Sequence, residues 1–240
     1  PNGGTIANNI QSNGTAALHI ALKLVGVEVS DLVIAPNITF VASINAIKYC
    51  NANPILIDIN PETWQMDLDL VEKFLENETY QNENQCFETK TKARIKAIMP
   101  VHVLAKKHNL EVVEDSTEAL GSYFKSKHAG TFGKIGTLSY NGNKIITTGG
   151  GGMILTDDEN IAKKAKHLTT QAKASGSEYF HDEVGYNYRL VNILAAIGVA
   201  QMEQLPAILI RKKEISEFYK SKLSQFTKLQ KVEIQVKPNN

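Results

Sequence analysis

One segment, residues 137–158 (TLSYNGNKIITTGGGGMILTDD), constrains the fold more than any other part of the chain. Lys144 lies near its centre and is followed by four β-branched or apolar residues (IITT), four consecutive glycines and a second apolar stretch. β-Branched residues favour strands, and consecutive glycines let the backbone turn sharply or approach a ligand closely. The pattern predicts a functional loop between two strands, residues 145–148 and 153–156, with Lys144 at its edge.

A lysine held in such a loop can lose its proton and attack a carbonyl carbon, which is the first step of Schiff-base enzymes. The alternative is a solvated lysine beside a flexible glycine loop, since most lysines are exposed. The segment alone leaves both interpretations open. The rest of the chain supports the first one.

The composition excludes several classes of protein. The 240 residues are 42% apolar and 21% charged, with a formal net charge of +1 and no basic stripe, which argues against a nucleic-acid binder. Cys50 and Cys86 match no metal or redox spacing and are interpreted as reduced thiols. No run approaches eighteen apolar residues and no signal peptide opens the sequence. These features predict a cytoplasmic protein without a membrane partner.

An anion-binding site is predicted near residue 14. The sequence SNGT (residues 12–15) precedes apolar residues at helical spacing, and Gly26 can end that helix. The free N–H groups of Gly14 and Thr15, with the Thr15 hydroxyl, would hold an anion at the helix N-terminus. An ordinary helix cap explains the same residues equally well.

The order of elements predicts a parallel sheet. Residues 31–35 (DLVIA) and 54–59 (PILIDI) are strands of the buried type, and a helix from about residue 37 lies between them. Phe40 follows the C-terminal end of the first strand, where such sheets bind ligands, although a buried core phenylalanine is the alternative. A helix is predicted at residues 67–75, and residues 76–94 are polar and predict a surface excursion.

The next connection is too short for a regular crossover. Residues 95–103 and 110–114 are both predicted strands, which leaves six residues where parallel neighbours need at least about ten to twelve. Either the two strands are not a normal parallel pair, or the chain lacks residues around Val103 and Leu104. Helices are predicted at residues 159–168, 192–204 and 208–223, with a polar loop at 171–182.

Five motifs carry a resemblance to a known family. SNGTAAL, PNITF, VEDSTEALGS, SYNGNKIITTGGGG and GYNYRLVNILAAIGVAQ follow one another as they do in the DegT-like (DegT/DnrJ/StrS) nucleotide-sugar aminotransferases. The likeness covers most of residues 12–223. It implies an α/β fold of the fold type I pyridoxal 5′-phosphate (PLP) transferases, with a mainly parallel central sheet and helices on both faces. The sequence around Lys144 most resembles that of the branch that aminates UDP-linked 4-keto-6-deoxy-N-acetyl sugars in bacillosamine and legionaminic acid synthesis.

The resemblance implies a role for four residues around the cofactor ring. Lys144 would form the Schiff base with PLP and move the proton during transamination. Asp115 would pair with the pyridine nitrogen. Phe40 would stack on the ring, and Glu118 would contact the ring hydroxyl.

The resemblance also implies which residues hold the phosphate. Gly14, Thr15 and Ser139 match phosphate contacts, which agrees with the helix-terminus argument. Asn187, in GYNYR, matches an asparagine that reaches the phosphate of a neighbouring subunit. The implied protein is a cytoplasmic homodimer with a shared active site, which would transfer an amino group, expected to come from glutamate, to a keto nucleotide sugar.

The sequence departs from the family pattern at three places. The lead before SNGTAAL, the crossover after VHV and the segment after the helix near Lys212 are all shorter than in the family. We therefore expect a large PLP-binding domain at residues 1–205 and the start of an incomplete C-terminal domain at 206–240. His102 lies near the sugar side of the family's site, but a core histidine explains it as well.

A catalytically silent relative that binds the cofactor or sugar as a regulator is the main alternative. The dehydratase branch replaces the lysine with histidine, and Lys144 argues against it. A Rossmann-type binder is excluded because the glycines lead into a strand rather than a helix.

Overall fold

The computed structural model describes residues 7–99, 107–174 and 179–228. Five helices are present in these ranges: α1 (Gly14–Leu24), α2 (Val41–Tyr49), α3 (Leu68–Asn77), α4 (Glu159–Thr169) and α5 (Asn192–Lys228). The strands are β1 (Ala7–Gln11), β2 (Leu32–Pro36), β3 (Asn53–Ile57), β4 (Thr79–Asn82), β5 (Gln85–Glu88), β6 (Arg94–Ile98), β7 (Glu111–Asp115), β8 (Tyr123–Phe124), β9 (Lys127–His128), β10 (Ile135–Ser139) and β11 (Gly152–Thr156).

Nine of the described strands form one mixed sheet, whose main path runs β1-β11-β10-β7-β6-β2-β3. The strands β10, β7, β6, β2 and β3 are parallel to one another. The strand β11 pairs antiparallel with both β10 and β1. Because the parallel strands all end at the same edge, the residues that follow them are brought together there.

Two apolar layers cover the two faces of the sheet. Val33 and Ala35 of β2 belong to the cluster that contains α1, α2 and α4, whereas Leu32 and Ile34 belong to the cluster that contains α3. This alternation is the period of two expected of a strand buried on both faces. The prediction of a mainly parallel sheet with helices on both faces is confirmed.

The run at residues 145–148 is not a strand, so that part of the prediction was wrong. The antiparallel pair is β10 and β11, and residues 140–151 form the loop between them. Ile146 is fully buried in a third apolar cluster, and the Thr148 N–H donates to the Tyr140 carbonyl over 3.0 Å. The β-branched side chains therefore anchor the loop that carries Lys144, because packing decides their conformation more than strand propensity does.

Residues 76–94 are more ordered than predicted. They contain the hairpin β4–β5, and β5 extends the sheet by pairing antiparallel with β6. Cys86 lies on β5 and is buried in the apolar cluster that contains α3. Each of these strands has only four residues, which is too few for a clear alternation of apolar and polar residues in the sequence.

The strands β6 and β7 are parallel neighbours, so the alternative in which they do not pair in parallel is wrong. The expected six-residue connection was wrong: β6 ends at Ile98 rather than at Val103, and β7 begins at Glu111, so twelve residues, 99–110, join the two strands. Val103 and Leu104 lie outside the described residues, so the prediction that residues are lacking there remains a prediction.

The two helices predicted near the C-terminus are one continuous helix, α5, with Pro206 inside it. Its middle contacts the third apolar cluster through Leu205 and Ile208. Among the described residues, this helix alone is long and apolar enough to cross a membrane. Its most apolar 18-residue stretch has a mean hydropathy of 1.7, and none of that stretch is buried. Length and composition alone are weak evidence for such a role, because helices of water-soluble proteins meet the same test.

Candidate active site

A cavity of about 220 Å³ opens at the C-terminal edge of the parallel strands. Six of the predicted site residues line it: Gly14, Thr15, Phe40, Asp115, Ser139 and Lys144. They come from the start of α1, the loop after β2, the end of β7, the end of β10 and the β10–β11 loop. The topology therefore brings residues from distant parts of the sequence to one place.

The N-terminus of α1 forms one end of the cavity. Asn13 caps the helix, and its side chain accepts a hydrogen bond of 2.8 Å from the Ala16 N–H. The N–H groups of Gly14 and Thr15 belong to the first turn, which has no intrahelical acceptors. Ser139 is close by, since a Cβ atom at Gly14 would lie 2.8 Å from the Ser139 Cβ. A helix N-terminus beside a serine hydroxyl suits a phosphate group.

A network of hydroxyl groups holds the carboxylate of Asp115. Ser43 donates to Oδ2 over 2.5 Å, and Thr117 donates to Oδ1 over 2.8 Å from its hydroxyl and 3.3 Å from its N–H. Ser43 is buried, and its hydroxyl lies 3.3 Å from that of Thr39. Charge-assisted hydrogen bonds of this kind are strong and fix orientation. The carboxylate is thus positioned at the cavity wall.

Lys144 lies between Glu118 and Phe40. Its ammonium group forms a short ion pair with Glu118 Oε1 and is 5.8 Å from the centre of the Phe40 ring. The Lys144 side chain is only 10% exposed, whereas that of Glu118 is 73% exposed. The amine is therefore confined at the boundary of the cavity, with an acidic group on its solvent side.

Hydrogen bonds behind Lys144 stiffen the loop on which it lies. The Lys144 N–H donates to the Asn141 carbonyl over 3.0 Å, and the Thr147 hydroxyl donates to the Tyr140 carbonyl over 3.1 Å. Tyr140 itself is buried, and burial raises the pKa of its phenol to about 12. Its hydroxyl donates to the Met153 sulfur over 3.5 Å, and Tyr140 belongs to the third apolar cluster, so it packs the loop against that cluster.

Two predicted residues lie outside this cavity. Glu118 lines the neighbouring cavity and reaches the site through its ion pair with Lys144. Asn187 is exposed, forms a bridge with Thr170 and does not line the cavity. Its predicted role concerns a neighbouring subunit, and that role remains a prediction.

Sequence reasoning did not single out several residues that line the cavity or support it: Asn13, Leu18, Ala42, Ser43, Thr117, Asn141 and Asn143. Thr117 and the two asparagines lie inside quoted motifs, two residues from Asp115 and one to three residues from Lys144. Proximity in sequence could have identified these three. Ser43 lies outside the quoted motifs, and its link to Asp115 spans 72 positions, so no motif indicates it.

Comparison with known proteins identifies the family. The DegT/DnrJ/EryC1/StrS aminotransferase family matches residues 10–240 of this chain. The chain belongs to this family. The resemblance inferred from the five motifs is thereby confirmed, together with the fold type I architecture.

Named relatives are similar over most of the chain. The GDP-perosamine synthase of Escherichia coli O157:H7 is 44% identical over 92% of this chain and 59% of its own length. The protein named "Putative pyridoxal phosphate-dependent aminotransferase EpsN" of Bacillus subtilis (strain 168) is 40% identical over 88% of this chain and 55% of its own. This chain therefore spans less than two thirds of the length of these relatives.

A solved structure supports the fold. A DegT DnrJ EryC1 StrS aminotransferase from Brucella abortus superposes with a TM-score of 0.81 at 22% identity, over 91% of this chain and 59% of that chain. Aminotransferases of this family use PLP. The residues in the cavity fit that group, because they offer a helix N-terminus for the phosphate, a fixed carboxylate for the pyridine nitrogen, an aromatic ring and a confined lysine.

Proposed function

We propose that the protein is a PLP-dependent aminotransferase that moves an amino group from an amino acid, expected to be glutamate, to a keto nucleotide sugar. The observation that carries this proposal is the position of Lys144, whose nearly buried amine shares one cavity with Asp115, Ser139 and the N-terminus of α1. A solvated lysine on a flexible loop would be far more exposed than 10%.

The cofactor, when bound, supplies an electron sink for the bond broken at the amino-acid Cα. The residues of the chain would then divide the remaining tasks. Gly14, Thr15 and Ser139 would bind the phosphate, and Asp115 would hold the proton on the pyridine nitrogen. Lys144 would hold the aldehyde end and carry the proton to and from the Cα atom, as a positioned general base does.

For the acceptor we propose a 4-keto-6-deoxy nucleotide sugar. The sequence around Lys144 supports a UDP-linked N-acetylhexosamine, whereas the similarity to the relative named GDP-perosamine synthase supports a GDP-linked sugar. Incubating the holoenzyme with glutamate and both keto sugars, and detecting amino sugars by mass spectrometry, tests the choice. Absence of product with every keto sugar would reject the acceptor class.

We further propose a homodimer in which Asn187 of one subunit completes the site of the other. Asn187 is exposed, and α5 presents several exposed apolar side chains that a partner would cover: Ile193, Val199, Met202, Ile210, Phe218 and Tyr219. Closed dimers with a two-fold axis are the commonest oligomers. The whole assembly would act in the cytoplasm.

The alternative is a catalytically silent protein that binds the cofactor or sugar as a regulator. Glutamate distinguishes the two, because an aminotransferase converts the bound cofactor to its aminated form and the visible absorption band disappears. A yellow protein whose band is unchanged by glutamate, and by the other common amino acids, would favour the regulator.

A further inference from the structure

Asn187 lies between two partly buried tyrosines that pack against a histidine of α1. The rings of Tyr186 and Tyr188 are stacked, with centres 5.1 Å apart and 25° between their planes. Both meet the His19 ring edge-on, at 5.0 Å for Tyr186 and 6.1 Å for Tyr188. Ring pairs at such separations attract one another beyond the area that they bury. We call Tyr186, Tyr188 and His19 the ring cluster.

His19 is the buried member of the ring cluster. It is 4% exposed, and its Nε2 atom has no hydrogen-bond partner among the described residues. Its Nδ1 atom lies 3.5 Å from the Tyr188 hydroxyl. A buried polar atom without a partner costs free energy that an apolar side chain of similar size would avoid. Filling of the core therefore does not account for a histidine here, whereas its contacts with the two tyrosines give it a further role.

Backbone hydrogen bonds hold the same segment at both of its sides. The Tyr186 N–H donates to the Leu168 carbonyl over 2.6 Å, and the Tyr188 N–H donates to the Thr169 carbonyl over 3.3 Å, both at the end of α4. On the other side, the Ser12 N–H donates to the Tyr188 carbonyl over 2.6 Å, two residues before α1. The residue between the two tyrosines is thus fixed in its backbone while its side chain stays exposed.

Helix α1 therefore contacts two functional groups of the chain. Its first turn, with Gly14 and Thr15, lines the cavity in which this subunit would bind its own phosphate. His19 lies five residues further along, about 7.5 Å at 1.5 Å per residue, and holds the segment that contains Asn187. The first turn has its own cap, Asn13, so loosening the ring cluster should disturb it less than it disturbs the segment.

We propose that His19 is a positioning residue for the active site of the partner subunit. Through Tyr186 and Tyr188 it would fix the segment from which Asn187 reaches the phosphate bound by the other subunit. This inference rests on the proposed function and on the homodimer that belongs to it. Its consequence is that a change at His19 should weaken cofactor binding in the partner subunit more than in its own.

Mixed dimers with one Lys144→Ala chain test this consequence. Two different affinity tags, used in succession, purify dimers of known composition. Only the chain that keeps Lys144 can be joined to PLP by borohydride at that residue. The labelled fraction of its Lys144 peptide, measured by mass spectrometry against PLP concentration, therefore gives the half-saturating concentration of one known site. That site takes its Asn187 from the Lys144→Ala chain.

The same substitution should act differently from the two chains. On the Lys144→Ala chain, His19→Leu should raise the half-saturating PLP concentration at least about fivefold, because hydrogen bonds to charged groups commonly contribute tenfold or more in affinity. On the chain that keeps Lys144, it should raise that concentration less than about twofold. Tyr188→Leu, at a partly buried position, should show the same asymmetry and keeps the test decisive if His19→Leu fails to fold.

Two reference variants calibrate the measurement. Asn187→Ala on the Lys144→Ala chain gives the full loss expected when the partner's contact is removed. Tyr80→Leu on that chain removes a ring of a different stacked pair, Tyr80 and Phe87, which lines neither the cavity nor the ring cluster. Its half-saturating PLP concentration should match that of the dimer without it.

The outcomes separate this inference from the proposed function. If the wild type carries no label at Lys144, the proposed function fails, and the inference fails with it. If Asn187→Ala on the Lys144→Ala chain has no effect, the shared site fails, and so does the inference. If Asn187→Ala has its effect, but His19→Leu and Tyr188→Leu have none or act equally from either chain, only the inference is overturned.

Discussion

The hydroxyl group of Ser43 donates a hydrogen bond of 2.5 Å to Oδ2 of Asp115, across 72 positions of sequence. Ser43 is 2% exposed and lies on α2, one turn after Phe40. Thr117 bonds the other oxygen of the same carboxylate. Asp115 is therefore oriented from two sides by its own chain, before any cofactor contributes.

Removing the Ser43 hydroxyl should weaken cofactor binding. A hydrogen bond to a charged group contributes about 1.5–3 kcal/mol, so Ser43→Ala should raise the Kd for PLP about tenfold or more. Ser43→Thr keeps the hydroxyl and should stay near the wild type. Absorbance titration of the apoprotein with PLP measures the Kd values. Equal affinity in Ser43→Ala and the wild type would mean that Ser43 does not position Asp115.

Adding a methyl group at Gly14 should disturb the phosphate seat, by which we mean the proposed phosphate site formed by Gly14, Thr15 and Ser139. The new Cβ would lie 2.8 Å from the Ser139 Cβ, closer than such atoms pack, so the helix N-terminus or the serine must move. Gly14→Ala should therefore raise the Kd for PLP at least several-fold. Gly142→Ala is the matched control, since a Cβ there meets nothing within 4 Å. Equal Kd values for the two variants would contradict the proposed seat.

Burial of His19 predicts a loss of stability in acid. Burial, with a smaller effect from Lys23, lowers the pKa of His19 from 6.5 to about 4. Its Nε2 atom has no hydrogen-bond partner within the described part of the chain. Between pH 6.5 and about 4, His19 is therefore mostly protonated in the unfolded chain and mostly neutral in the folded one. Stability is full above pH 6.5 and falls as the pH drops toward 4, by up to about 3 kcal/mol at 1.36 kcal/mol per pKa unit.

Urea unfolding at pH 7 and pH 5 measures this effect. His19→Gln should lose less stability between the two pH values than the wild type, whatever its stability at pH 7. His181→Gln, at an exposed histidine, should keep the wild-type pH dependence. If His19→Gln shows the same loss as the wild type, another group is responsible for the acid sensitivity.

Mixing two inactive variants tests the shared site. Asn187→Ala and Lys144→Ala should each be nearly inactive as purified dimers. In a mixed dimer, one of the two sites keeps both Lys144 and a partner subunit's Asn187, so part of the activity should return. Light scattering gives the mass of the wild type. A monomer at the assay concentration, or mixed variants that stay inactive after subunit exchange, would refute the shared site.

The sequence predicted those elements whose local pattern agrees with their environment. Helix α1 begins and ends within two residues of the predicted signals, and its terminus lies at the cavity as expected. The run at residues 145–148 failed as a strand because Ile146 is drawn into a buried cluster by tertiary packing. The two helices predicted at residues 192–204 and 208–223 are one helix, because α5 continues through Pro206.

The candidate site shows the same division between local and distant information. Motif residues such as Lys144 and Asp115 could be found because each lies in a short segment with a characteristic sequence. Ser43 could not, because its hydrogen bond to Asp115 depends on which elements meet at the edge of the sheet. Such contacts arise from the topology, and no periodicity in the sequence encodes them.

The most direct test of the account concerns the amine of Lys144. Borohydride reduction of the holoenzyme, followed by proteolysis and mass spectrometry, should find the cofactor attached to the peptide that contains Lys144. Lys144→Ala should still bind PLP without a covalent link, because the phosphate seat and Asp115 remain. Its turnover should fall at least about 10²–10⁴-fold, the usual contribution of a positioned acid-base group. Label on another lysine, or near-normal turnover in Lys144→Ala, would contradict the account.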